Sequence, residues 1–197
     1  MNDIDYYRQQ LSEYSHRAFR RHLVGGTGGN LSIRIPGTDT VLVTPTGISL
    51  QEVEPDQNIL FNLEGEIIES PQNLKGSKET GFHLAAYKLK PDIGGIAHVH
   101  PPHATAYSNK VRPLPLATIS ARVVLKHVPC IECFAPGSAE LRNAVMGGIK
   151  DNPEANCLLM KEHGILAMGK DLRQAFYLAD LTEDTAKIAY VAATIPD

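Results

Sequence analysis

The chain has 197 residues, with 19 Lys plus Arg against 22 Asp plus Glu and a formal net charge of -3. Apolar residues make up 43% of it, enough to fill one sizeable core without a disulfide or structural metal, so residues 1–197 are expected to form a single domain. Charges of both signs are interspersed, and no apolar run approaches the ~18 residues of a membrane span. These features argue against a nucleic-acid or membrane partner, and with an acidic, polar start they point to a cytoplasmic protein. Cys130, Cys133 and Cys157 are too few for a disulfide framework, whereas eight histidines make imidazole the expected ligand of any metal.

Near the N-terminus, Tyr7, Leu11, Tyr14, Ala18, Phe19 and Leu23 recur at three- and four-residue steps between charged residues. This predicts an amphipathic helix ended by the glycine cluster at residues 25–29. Alternation then predicts strands over residues 31–35 and 40–44, and over 58–63 and 66–69, the latter pair joined by a hairpin at Glu64-Gly65. Ser77 reads as the N-cap of a helix marked by Phe82, Ala85, Ala86 and Leu89 and closed by Pro91. Residues 94–99 form a short buried strand, and Pro101 and Pro102 open a further helix. Residues 139–149 suit a helix, 157–160 and 165–168 are apolar strands, and a last helix covers 172–193. Hairpins first, then strands interleaved with helices, predict a mixed α/β domain rather than a regular βαβ array.

The most specific feature is Ala97-His98-Val99-His100-Pro101-Pro102-His103. Residues two apart on a strand share a face, so His98 and His100 present two imidazoles side by side. Taken alone, the pair reads equally as a ligand site and as two exposed strand histidines. His103, beyond the prolines, is expected to cap or pack the next helix. His163 lies in a turn before Gly164, whose backbone freedom would let a side chain reach inward. Added to the strand pair, it completes a three-histidine set with an open fourth position, as in a catalytic zinc site.

Three amide-rich segments, Gly28-Gly29-Asn30, Thr44-Pro45-Thr46-Gly47 and Lys75-Gly76-Ser77-Lys78-Glu79-Thr80, offer anion-binding groups. Their spacing is that of neither a Walker nor a dinucleotide loop, and the third segment on its own favours an ordinary capped helix. Cys130-Ile131-Glu132-Cys133 has CxxC spacing, but no second pair follows and Pro129 and Phe134 frame it as a strand, so buried structural thiols are expected. His16, His22, His83 and His127 are expected to be packed or solvated.

In chain order, Gly29-Asn30-Leu31-Ser32, Thr44-Pro45-Thr46-Gly47, Ser77-Lys78-Glu79 followed by Phe82-His83, His98-Val99-His100 and His163-Gly164 resemble the class II aldolase and adducin family over residues 11–189. The resemblance implies a three-layer α/β/α domain around a mostly antiparallel sheet. It implies one Zn2+ per subunit held by His98, His100 and His163, with Glu79 as the catalytic acid/base. Phosphate binding falls by the same resemblance to Gly29, Asn30, Thr46, Gly47, Ser77 and Lys78. A homotetramer with sites at subunit interfaces and a small phosphorylated sugar or sugar-acid substrate are also implied. The implied reaction is retro-aldol cleavage of a phosphorylated ketose to dihydroxyacetone phosphate and an aldehyde through a metal-stabilised enediolate.

Lys78 stands where the family's aldolases usually carry a small hydroxyl residue, and the Ser-Lys-Glu triplet resembles the branch that decarboxylates 3-oxo-tetronate 4-phosphates. The lack of tyrosine over residues 114–124 departs from the fuculose-phosphate branch, and glutamate at position 79 departs from the ribulose-phosphate 4-epimerase branch. A methylthioribulose-phosphate dehydratase and a non-catalytic adducin-like module are the remaining readings. The intact histidine set opposes the second.

Overall fold

The computed structural model describes residues 3–110 and 112–196. Within them, β1 (Asn30–Arg34), β2 (Thr40–Val43), β3 (Ile59–Asn62), β4 (Ile67–Glu69), β5 (Gly95–Val99), β6 (Cys130–Ile131), β7 (Cys157–Met160) and β8 (Gly164–Gly169) form one sheet. Its order is β4-β3-β2-β1-β5-β8-β7-β6, and every pairing is antiparallel except β6 with β7. The turn between β3 and β4 falls at the expected place, with Gly65 in a left-handed conformation (φ +92°).

Two helical layers sandwich the sheet. One contains α1 (Asp3–Arg20), α3 (Pro102–Ser108), α4 (Ile119–Val124) and α6 (Leu172–Thr194); the other contains α2 (Thr80–Leu89) and α5 (Ala139–Asp151). Alternation along the strands divides the core between them. Leu31, Ile33, Ala97, Val99, Ile165 and Ala167 pack on the α1/α6 side, and Val41, Val43, Ile96, Leu158, Leu166 and Met168 on the α2/α5 side. Strands β5, β7 and β8 are buried along their whole length, which is why they read as apolar runs, broken in β5 by His98 alone. This is the three-layer, mostly antiparallel architecture that the motifs imply. No helix among the described residues is long and apolar enough to cross a membrane.

Local chemistry differs from expectation at three places. Helix α1 stops before the glycine cluster: His22 takes the left-handed conformation (φ 57°), Leu23 N–H donates to Ala18 O (3.0 Å) and His22 N–H to Phe19 O (2.9 Å). That is a Schellman closure made by a histidine. Ser77 does not cap α2, which begins directly after Glu79. The short helix α4, capped by Thr118 Oγ1 accepting from Ala121 N–H, has no signal in the sequence, because its Ile119 and Val123 face outward and give no core periodicity.

The topology sets the position of the site. Strand β5 lies between β1 and β8, Asn30 pairs with His98, and Val99 pairs with Ile165. The start of β1, the end of β5 and the entry to β8 therefore meet at one edge of the sheet.

Candidate metal centre

His98 is wholly buried on the α2 side of the sheet, and His100 follows just past the end of β5. Their Nε2 atoms stand 2.9 Å apart. His163 enters from the β7–β8 turn, its Nε2 3.3 Å from that of His98. Glu79, in the turn that opens α2, closes the group, with Oε2 3.2 Å from His98 Nε2 and Oε1 3.2 Å from His163 Nε2. One ligand atom from each of the four residues lies within 4.8 Å of the other three.

Close approach of the backbone makes this possible. A Cβ on Gly164 would stand 2.2 Å from Val99 O and 2.8 Å from His100 Cδ2, whereas the left-handed residue of the turn is Glu162 (φ 55°). Gly164 thus supplies space rather than the backbone freedom expected of it. Gly29 (φ +75°) likewise lets the entry to β1 pass close to the His98 carbonyl, which a Cβ would meet at 2.9 Å.

The donor set fits a divalent cation. His98 Nδ1 lies 2.9 Å from Ile165 O, which can only accept, so Nδ1 carries a proton and Nε2 is the nitrogen that faces the cluster. Burial, with His98 and His163 alongside, lowers His100 to about 3 and keeps it neutral. Ring nitrogens that face one another through their lone pairs cannot satisfy each other, and the Glu79 carboxylate lies against two of them. Ligand atoms about 2.1 Å from a tetrahedral zinc stand about 3.4 Å apart. The separations of 3.2 and 3.3 Å among Glu79, His98 and His163 are close to that edge.

Burial alone would raise the Glu79 carboxyl, but His98, His163 and the Asn30 amide outweigh it and hold the group well below the usual carboxylate range. His163 moves the opposite way, to about 9, where the Cys133 thiol and Glu79 overcome its burial. A cation would compete with that proton for the same nitrogen.

The three amide-rich segments gather at this end of the sheet. Leu31 N–H donates to Thr44 Oγ1 (3.2 Å), and Pro45 bridges to Gly76. Several of the expected phosphate donors are already engaged, however. Thr46 N–H donates to Lys75 O (2.9 Å), Glu79 N–H to Ser77 Oγ (3.2 Å) and Thr80 N–H to Ser77 O (3.1 Å). Asn30 turns its Nδ2 toward Glu79 Oε2 (2.9 Å), so its amide orients the carboxylate. Thr46, Gly47 and Lys78 are exposed. Lys78 shares a cavity of about 190 Å3 beside Glu79 with Phe82, Gly137, Ser138 and Arg142.

Among the remaining candidates, His103 packs as expected: its Nδ1 is 2.7 Å from Glu183 Oε1, and Glu183 Oε2 accepts from Ala104 N–H at the start of α3. His83 is buried with its Nδ1 2.7 Å from Ser32 Oγ. The CxxC segment departs from the expected buried strand. Only Cys130 and Ile131 are strand, Cys130 and Cys133 are half-buried, and Cys133 Sγ lies 2.9 Å from His163 Nδ1. The one signal for that contact is the cysteine spacing itself, which suggests a disulfide or zinc pair rather than a partner for a histidine.

An α/β/α sandwich in which β5, the β7–β8 turn and the turn before α2 bring three imidazoles and a carboxylate to one end of the sheet defines the class of protein: an α/β domain with a cluster that could hold a metal ion. The profile of the Class II Aldolase and Adducin N-terminal domain matches residues 9–190, and the chain belongs to that family. It is 32% identical over 173 residues to the L-fuculose phosphate aldolase of Methanococcus maripaludis, spanning 88% of this chain and 90% of the relative. It is 34% identical over 165 residues to the 5-methylthioribulose-1-phosphate/5-deoxyribulose-1-phosphate aldolase of Escherichia coli, spanning 83% and 73% respectively. A solved L-fuculose 1-phosphate aldolase matches it with a TM-score of 0.87 at 27% identity, over 100% of this chain and 92% of the other.

Proposed function

We propose that the protein is a zinc-dependent lyase that cleaves a small phosphorylated ketose to dihydroxyacetone phosphate and an aldehyde, with one ion per subunit held by His98, His100 and His163. The observation that carries this reading is the convergence of three Nε2 atoms on the Glu79 carboxylate. The named activities of the sugar-phosphate aldolase relatives support the substrate class. A dication held there supplies Lewis-acid stabilisation of the negative charge that carbon–carbon cleavage leaves on the ketose oxygens.

The chain's own residues do the rest. Imidazole ligands add no negative charge of their own. Glu79 is ionised and held by Asn30 through Oε2; with His163 Nε2 given over to an ion, Oε1 would be the atom left to exchange the proton with substrate. Gly29, Thr46, Gly47, Ser77 and Lys78, at the same edge, anchor the phosphate and orient the reacting bond away from it. Exposed Ile119 and Val123 on α4, with Tyr190, Val191 and Ile195 near the end of α6, offer apolar surface for subunit contacts, as the homotetramer of this reading requires.

Lys78 favours a second reading, decarboxylation of a 3-oxo-tetronate 4-phosphate, whose extra carboxylate would meet Lys78 and Arg142 in the cavity beside Glu79. A panel of ketose 1-phosphates and oxo-tetronate phosphates, assayed for aldehyde and for carbon dioxide, separates the two. Aldehyde release supports the first reading, carbon dioxide the second, and neither product removes both. Glu79→Gln is expected to stay folded and lose about 10²- to 10⁴-fold in turnover; full turnover would remove the acid/base assignment.

A further inference from the structure

The three imidazoles are anchored in different ways. His98 belongs to β5, and its Nδ1 bonds to the Ile165 carbonyl of the adjacent strand. His100 follows the same strand directly. His163 has no strand of its own. It stands in a turn after the left-handed Glu162, and among the described residues the partner of its Nδ1 is the Cys133 thiol at 2.9 Å.

The register of the sheet edge brings Cys133 there. Strands β6 and β7 run parallel with Ile131 opposite Met160, so the segments leaving both strands travel side by side. Lys161 N–H donates to Ile131 O (3.0 Å), and Lys161 Nζ meets Glu132 Oε2 at 3.1 Å. Two residues past the end of β6, the chain is at Cys133; three past the end of β7, it is at His163.

We propose that Cys133 is the positioning residue for His163. The inference rests on the reading of Glu79, His98, His100 and His163 as a metal centre. An imidazole that offers its Nε2 lone pair to a cation must carry its proton on Nδ1, and that N–H needs an acceptor to hold one tautomer and one ring direction. The strand ladder supplies such an acceptor to His98. For His163, held only by a turn, Cys133 Sγ supplies it. Loss of outer partners of this kind typically weakens metal affinity about 10- to 100-fold.

The test uses the chelator-stripped full chain as wild type, Cys133→Val and Cys133→Ser, titrated with Co2+. The readouts are the d–d absorption band and the dissociation constant obtained by competition with a chromophoric chelator. Wild type is expected to bind one Co2+ per chain, Cys133→Val to bind about 10- to 100-fold more weakly with an altered band, and Cys133→Ser, which keeps a small acceptor, to recover most of the affinity. Circular dichroism confirms that each variant is folded, and Cys133→Ala replaces the valine variant if that one is not. Unchanged affinity and spectrum in the valine variant would overturn the proposal and leave the metal centre standing. Equal loss in the serine and valine variants would overturn it too, since the effect would then belong to packing. Failure of wild type to bind Co2+ would remove the metal centre, and the proposal with it.

Discussion

Two buried polar clusters in this protein obey different rules. Around Arg8, 6% exposed on α1, the polar groups close on one another. Its Nη1 donates to Asn58 O and its Nη2 lies 3.0 Å from Glu69, while Asn58 Nδ2 donates to Arg8 O, Ser12 Oγ and Pro55 O. Asn58 Oδ1 is left over, and the Glu69 carboxylate is the partner of Arg8 Nη2. Around Glu79 the geometry runs the other way: three ring nitrogens converge on one carboxylate, Glu79 Oε1 faces the His163 ring nitrogen at 3.2 Å, and Asn30 Oδ1 and His83 Nε2 are buried without partners. The first cluster matches donors to acceptors and opposite charges, whereas the second sets ring nitrogens against one another around a single carboxylate, an arrangement that a bound cation would satisfy.

The largest expected effect comes from breaking the open cluster. His98→Ala should lose more than about 100-fold in metal affinity, beyond what outer partners contribute, while circular dichroism still reports a folded chain. Metal analysis after dialysis checks it, and undiminished metal would erase the distinction between the clusters. Breaking the closed cluster should do the reverse. Arg8→Leu is expected to cost about 1–3 kcal/mol in urea denaturation, because partners are left unpaired, with turnover per folded molecule unchanged.

A third prediction concerns pH. His83 ionises near 6.5 in an unfolded chain, but burial, and then His98 beside it, lower it to about 3 in the fold. Between those values the unfolded state holds the extra proton, so the stability of the chelator-stripped protein falls as pH drops below 6.5. Denaturation midpoints across that range should show His83→Leu flattening the slope by up to about 1.4 kcal/mol per pH unit; an unchanged slope would assign it elsewhere. The smallest effect is on thiol chemistry. Burial pushes Cys157 up to about 12, so iodoacetamide at mildly alkaline pH should label Cys133 in the native protein and reach Cys157 only after unfolding, as read by peptide mass spectrometry.

Much of the fold was legible in the chain because its strongest signals are local. Strands β7 and β8 are continuous apolar runs and β5 is one interrupted by His98 alone, the β3–β4 turn needs a residue such as Gly65, and α1 and α6 carry clear helical spacing. The pairing of His98 with His100 was legible for the same reason, since the two-residue period of a strand puts them on one face. Helix α4 and the closure of α1 at His22 were not, because an outward-facing six-residue helix and a left-handed histidine leave no pattern that a core or a glycine would leave. Cys133 was read as a structural thiol because its contact depends on a parallel strand pair of only two residues.

From the amino-acid sequence alone came most element types, the family resemblance and the candidate ligand residues, all of which depend on neighbours in the chain or on the order of motifs. Tertiary structure alone decided which atoms face each other. It turned the Asn30 amide onto Glu79 and engaged Thr46 N–H with Lys75. It also brought His163 to His98 across 65 residues and set Cys133 behind it. The physical reason is that these contacts are fixed by strand order and register, which set distances between segments that no local periodicity encodes.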